Sequence, residues 1–166
     1  MMFYFTRLLL LLSGGLGLGI ACQPKSPVVS SPVIFADPLV LALAQTNILA
    51  DRYVGRNPQE HAQFARFRQL LEKYPPTQIQ ALTQHPNPVV RAYAFWGLAK
   101  QQSQNLDEII LQMARDTTQI RTLVGCLADS SRVIDFALRL STTDDIDPEA
   151  RKISPKTQAL LQQKGP

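Results

Sequence analysis

The chain is short of charge, cysteine and histidine, and each shortage closes off a class of function. Charged residues make up 18% of its 166 positions, against about 25% in ordinary soluble domains. The net charge of +4 is too mild for a nucleic-acid-binding surface. The two histidines, His61 and His85, are far apart, and neither has a Cys, His or Asp at metal-ligand spacing. They read as surface or capping groups. Residues 22–166 contain no GxSxG, HExxH or CxxC motif, so no hydrolase, zinc-protease or redox chemistry is indicated. No catalytic residue, metal or cofactor is implied. Beta-branched runs with period-two alternation are also rare, which points away from a sheet-rich fold.

What is present begins at the N-terminus. MMFYFTRLLLLLSGGLGLGIA carries one early cation, Arg7, then the apolar run Leu8–Leu12, then a glycine-rich apolar stretch to Ala21. This is the layout of a secretory signal. The apolar part is shorter than the roughly 20 residues needed to span a bilayer. Gly14, Gly15, Gly17 and Gly19 do not follow a strand or open a conventional helix, so they make no nucleotide loop. Removing residues 1–21 takes away Arg7 and no acid, which lowers the net charge from +4 to +3.

Gly19-Ile20-Ala21-Cys22 resembles the lipobox of bacterial lipoproteins. The resemblance implies cleavage before Cys22 and acylation of its sulfur and new amine. The family usually has leucine where Gly19 stands; Ile20 and Ala21 fit. An ordinary signal cut after Ala21, leaving a free thiol, is the alternative. With Cys22 lipidated, Cys126 has no partner for an internal disulfide and is expected to be a small buried residue. Gln23 is not the aspartate that in lipoproteins often marks inner-membrane retention. The resemblance therefore implies outer-membrane placement if the organism has two membranes.

Residues 22–37 hold prolines at 24, 27 and 32 and read as an extended tether. Helix signals follow in series. Asp37-Pro38 is an N-cap aspartate with proline at the first helical position, and apolar residues carry that helix toward Tyr53, with Gly55 as its break. Asn57-Pro58-Gln59-Glu60 repeats the signal with a capping box, and Pro75-Pro76 ends the helix it opens. A short helix covers about 77–84. Asn87-Pro88 opens another to about Gln102, and Asn105 to Glu108 is a second capping box. Ile120, Leu123, Val124 and Leu127 predict a helix over 117–128, although Ile120, Thr122 and Val124 also alternate as a strand would. Val133 to Leu140 is helical. Asp144, Asp145, Asp147 and Glu149 form an acidic loop; Ala150 stands where a calcium loop starting at Asp145 needs glycine, so the loop is expected to be solvated. Ser154-Pro155 starts a last short helix.

Asn57-Pro58, Asn87-Pro88 and Thr117-Thr118 recur at a constant interval near 30 residues, the mark of a helical repeat. NPVVRAYAFWGLA, apolar nearly all round with Arg91 inside it, resembles the second helix of a short HEAT repeat through Asn87, Pro88, Val90, Arg91, Ala94 and Leu98. Residues 117–128 match in part through Ile120 and Arg121. The resemblance implies an all-α stack of antiparallel helix pairs, a role in protein binding, and no catalytic residue. In such a stack Tyr93, Phe95 and Trp96 are core, and Arg91 links one unit to the next with Asp116 as its candidate partner.

The expectation is thus a signal (1–21), a tether (22–37), a HEAT-like helical domain (38–141) and an acidic loop with a short helical tail (142–166). Its function is read as a non-enzymatic scaffold in the cell envelope, held to the membrane by lipid at Cys22 and binding protein partners, with no nucleic acid or small-molecule substrate. The alternatives are an envelope enzyme or enzyme subunit without a recognisable motif, and a soluble secreted binder.

Overall fold

The computed structural model describes residues 32–56 and 59–164. In chain order it contains α1 (Pro32–Phe35), α2 (Pro38–Thr46), β1 (Ile48–Val54), α3 (Ala62–Lys73), α4 (Pro76–Ala81) with a single 3-10 turn at Leu82–Gln84, α5 (Pro88–Lys100), α6 (Leu106–Gln112), β2 (Gln119–Gly125), β3 (Leu127–Arg132), α7 (Val133–Thr142) and α8 (Pro155–Lys164). The all-α, HEAT-like expectation is therefore wrong: among the described residues the fold combines eight helices with a three-stranded mixed sheet. The strand order is β1-β2-β3, with β1 parallel to β2 and β3 antiparallel to it.

Two elements account for the correction. The helix opened by Asp37-Pro38 stops at Thr46 because Asn47 takes the left-handed conformation at φ 49°, which asparagine tolerates better than most residues. Ile48–Val54 then extends and pairs with β2, Leu49 opposite Thr122 and Ala50 opposite Leu123. Over 117–128 the alternation decides. Ile120 and Thr122 are buried while Gln119 and Arg121 are exposed, and Gly125 at φ 56° turns the chain into β3. The third unit of the supposed repeat is thus a hairpin. The first, Asn57-Pro58, lies outside the described residues.

Helix α5 is the centre of the domain. It packs against α2, α3, α4, α6, α7, β1 and β2, so every face meets a neighbour, as its all-round apolarity requires. Tyr93, Phe95 and Trp96 are 0%, 0% and 1% exposed. Trp96 lies 5.2 Å from Phe67, 5.5 Å from Phe64 and 5.9 Å from Phe136 between ring centroids. Glycine at 97 lets α3 and α4 approach; a Cβ there would come 2.5 Å from Leu71 Cδ2.

Local signals set most helix starts. Asp37 caps α2 by accepting from the Leu39 N–H at 2.8 Å, and its other oxygen accepts from Lys73 Nζ and Tyr74 Oη at 2.5 Å. Asn87 Oδ1 accepts from the Val89 and Val90 N–H groups, while its amide donates to the Ala44 carbonyl at 3.1 Å. Asn87→Ala is expected to lower stability by about 1–2 kcal/mol, measured as a shift in the urea midpoint without a change in slope. Of the two expected capping boxes, Asn57 of the first lies outside the described residues and the second does not form. α3 begins at Ala62, capped by His61, and Glu60 instead pairs with Arg68 and Arg52. Asn105 makes no cap bond to α6; it donates to Gln80 and accepts from Ser103.

The expected boundaries also move. Ile34 is buried and Phe35 packs on the core, so folded structure begins within the supposed tether. Ile146, Ala150 and Ile153 join the same core. The acidic loop is not wholly solvated: Asp147 is 6% exposed and accepts from Trp96 Nε1 at 2.7 Å and Lys100 Nζ at 2.8 Å. Burial alone would raise its pKa, but the Lys100 and Trp96 hydrogen bonds outweigh that and hold it below the ordinary aspartate value.

Candidate functional site

Cys22, the expected lipidation site, lies outside the described residues. Arg91 and Asp116 are brought together. Arg91 sits in the first turn of α5, and Asp116 in the segment between α6 and β2. Arg91 Nε donates to Asp116 Oδ2 at 2.6 Å and Nη2 to Oδ1 at 2.9 Å, a two-pronged pair with side chains only 15% and 14% exposed. Nη1 donates to the carbonyls of His85 and Pro86, and Nη2 also to Thr118 Oγ1. A guanidinium has five N–H donors, and the five contacts occupy them. The pair links no repeats, because there is no stack; it ties α5 to the turn before it and to the entry of β2. Burial works to raise the Asp116 pKa, yet the Arg91 hydrogen bonds hold it below the ordinary value.

A cleft of about 310 Å³ borders this pair, lined by Thr83, Gln84, His85, Gln112 and Met113 among others. His85 is buried, with its ring edge-on to Phe35 at 4.9 Å and its Nδ1 accepting from the Asn87 N–H at 3.0 Å. Burial pushes its pKa below the ordinary histidine value, so the ring is neutral at pH 7. His61 is committed to capping α3. Among the described residues, no three His, Cys, Asp or Glu side chains gather where they could hold a metal ion. With the arginine saturated, His85 Nδ1 engaged by the Asn87 N–H and His61 capping α3, the residues around this cleft brace a corner of the fold.

The sheet edges contrast more sharply. The outer edge of β1 is closed. Tyr93, fully buried on α5, accepts through Oη from the Ala50 N–H at 2.8 Å and donates to the Ala50 carbonyl at 3.0 Å. Gln63, fully buried, donates to the carbonyls of Ile48 and Leu43, and the His61 N–H donates to the Arg52 carbonyl. One tyrosine and one glutamine thus stand in for a missing strand.

The outer edge of β3 has no such cover along most of its length. In the β2–β3 register Leu127, Asp129 and Ser131 exchange main-chain bonds with Val124, Thr122 and Ile120, a pattern that continues in the bond from the Val133 N–H to the Thr118 carbonyl. Ala128 and Ser130 therefore direct their main-chain groups outward. The Ser130 N–H is covered by Asp129 Oδ1 at 2.7 Å; the Ala128 N–H and carbonyl have no hydrogen-bond partner among the described residues. Beside this edge, beneath the hairpin and against α7, lies a cleft of about 180 Å³ whose lining includes Thr122, Val124, Arg132, Phe136, Arg139 and Ile146. Cys126, expected to be buried, is exposed at the hairpin tip, next to Leu127 at 69% exposure.

No protein-family model, curated protein or solved structure matches this chain. Sequence reasoning missed Gln63, Asp147 and the two functions of Tyr93. Tyr93 left one trace: a hydroxyl inside an otherwise apolar helix must find a partner when buried.

Proposed function

We propose that the protein is a cell-envelope lipoprotein, acylated at Cys22, whose folded domain binds a protein partner and performs no catalysis. The observation that carries this reading is the order Arg7, apolar run, Gly19-Ile20-Ala21-Cys22. Several acyl chains on one terminus hold far more firmly than one, since each buried CH₂ adds about 0.8 kcal/mol. The stretch from Cys22 to Ser31 can reach at most roughly 35 Å fully extended, which keeps the domain close to the membrane surface. Outer-membrane placement in a two-membrane organism belongs to the same proposal, from Gln23. The binding half is supported by the saturated side chains in the Arg91 cleft and by the exposed hairpin edge.

Affinity purification of the tagged full-length chain from detergent-solubilised envelopes tests the binding half. The same partner should co-purify in independent preparations. If none does, and the purified chain turns over a substrate, the reading fails.

A further inference from the structure

We infer that the His85 ring is a proton-operated latch on α1: neutral, it holds the segment by which the chain enters the domain, and protonated it lets that segment go. A helix of 4 residues does not hold its shape in water by itself, so α1 depends on its contacts. Ile34 is buried, and Phe35 lies against the His85 ring at 4.9 Å. Val33, between them, is 83% exposed. α1 carries no charged or titratable side chain, and neither does α2 after it. Asp37, which joins the two, is held by Lys73, Tyr74 and the Leu39 N–H. His85 is thus the titratable group in ring contact with α1.

The site is built for a neutral ring. Nδ1 accepts from the Asn87 N–H at 3.0 Å, which requires it bare, with the ring hydrogen on Nε2. A second proton lands on Nδ1 and sets two donors face to face. Arg91 already brings its charge to the His85 carbonyl at 2.9 Å. Of the described residues lining the adjoining cleft, Asp116 is the one acid, and the arginine engages both its oxygens. A buried charge without a partner is costly, whereas the cleft of about 310 Å³ gives the ring a way to water. The charged ring therefore turns out into the cleft and leaves Phe35. Burial, with the Arg91 charge adding to it, holds the pKa of the latched ring below the ordinary histidine value. The released ring titrates near 6.5. The latch is therefore closed at pH 7. Release gains up to about tenfold for each pH unit below roughly 6.5 and levels off beneath the latched ring's own value. It adds residues 32–36 to the chain between Cys22 and the domain, raising the greatest reach from roughly 35 Å to roughly 50 Å. That consequence rests on the anchor at Cys22; the latch itself does not.

The test is a distance measured between spin labels on the full-length chain in detergent micelles. One label goes on Val33→Cys, at an exposed position of α1, and the other on the native Cys126, exposed at the hairpin tip; an acylated Cys22 takes none. The distances should be narrowly distributed at about pH 7.5. At about pH 5 a broad second population should grow several-fold, while Trp96 fluorescence stays that of the folded domain. His85→Asn is the control. Its side-chain oxygen can accept from the N–H two residues on, and it does not titrate, so its distances should be the same at both pH values. The latch is overturned if the parent's distances do not change with pH, or if His85→Asn broadens as the parent does. It also falls if the broadening comes with loss of the folded Trp96 signal, since the whole domain is then opening. A third label on the chain means a free Cys22 thiol, and the anchor reading fails; the same pair of labels in Cys22→Ser then decides the latch separately.

Discussion

Arg91→Met is expected to cost about 3 kcal/mol or more of folding stability, although methionine replaces most of the apolar stem. The loss comes from Asp116, a carboxylate 14% exposed that keeps its burial and loses its two-pronged donor. Removing one member of a buried pair typically costs 3–5 kcal/mol. The remaining exposure of both side chains places the effect at the lower end. Asp116→Asn keeps the shape but strands the guanidinium. The double substitution should recover part of the sum, with a coupling of about 1–3 kcal/mol. Strictly additive losses in urea denaturation would mean that the pair does not act as a unit. The pH dependence follows from the sign. The folded Asp116 pKa is lowered, so its stabilisation is present above the unfolded aspartate pKa near 3.9 and is lost as pH falls through the folded value. In Arg91→Met the stranded carboxylate can protonate, so the gap between variant and parent should narrow on going from pH 7 to about pH 4.

Tyr93→Phe is expected to cost about 2–4 kcal/mol while changing a single oxygen. The ring stays, 4.9 Å from Phe67 and 6.1 Å from Trp96, so packing is nearly preserved. What disappears is the partner of two buried main-chain groups on Ala50, and each buried group left unsatisfied costs about 1–3 kcal/mol. The same variant should speed amide exchange at Ala50 out of proportion to the global loss, because the edge of β1 has no second cover there. A cost below about 1 kcal/mol, with Ala50 exchange unchanged, would mean that Tyr93 does not seal the sheet.

Arg91 also shows where sequence reasoning succeeds. An arginine in a helix otherwise apolar on all sides has to find an acid nearby, and Asp116 is in reach of that argument from spacing alone. The starts at Asp37-Pro38, Asn87-Pro88 and Ser154-Pro155 are equally legible, because cap chemistry is local: Ser154 Oγ accepts from the Thr157 N–H just as an N-cap should. The sheet is not local. Ile48–Val54 has Asp51 and Arg52 at its centre and no clean alternation; it is a strand because β2, far along the sequence, offers it a ladder. Gln63 and Asp147 look like surface residues in the sequence. They are buried because Ile48 needs a donor at its carbonyl and Trp96 needs an acceptor at its indole N–H. The repeat spacing misled for a related reason. It recorded recurring cap signals, which a stack of helix pairs and an unrelated set of helices write in the same letters.

The anchor at Cys22 is the centre of the functional account, and metabolic labelling with radioactive palmitate tests it most directly. The full-length chain should incorporate label and fractionate with membranes, and Cys22→Ser should do neither while the domain still folds, judged by an unchanged urea midpoint of the purified protein. Label that persists in Cys22→Ser, or an unlabelled parent chain released as a soluble protein with a free thiol at its new terminus, would contradict the lipoprotein reading.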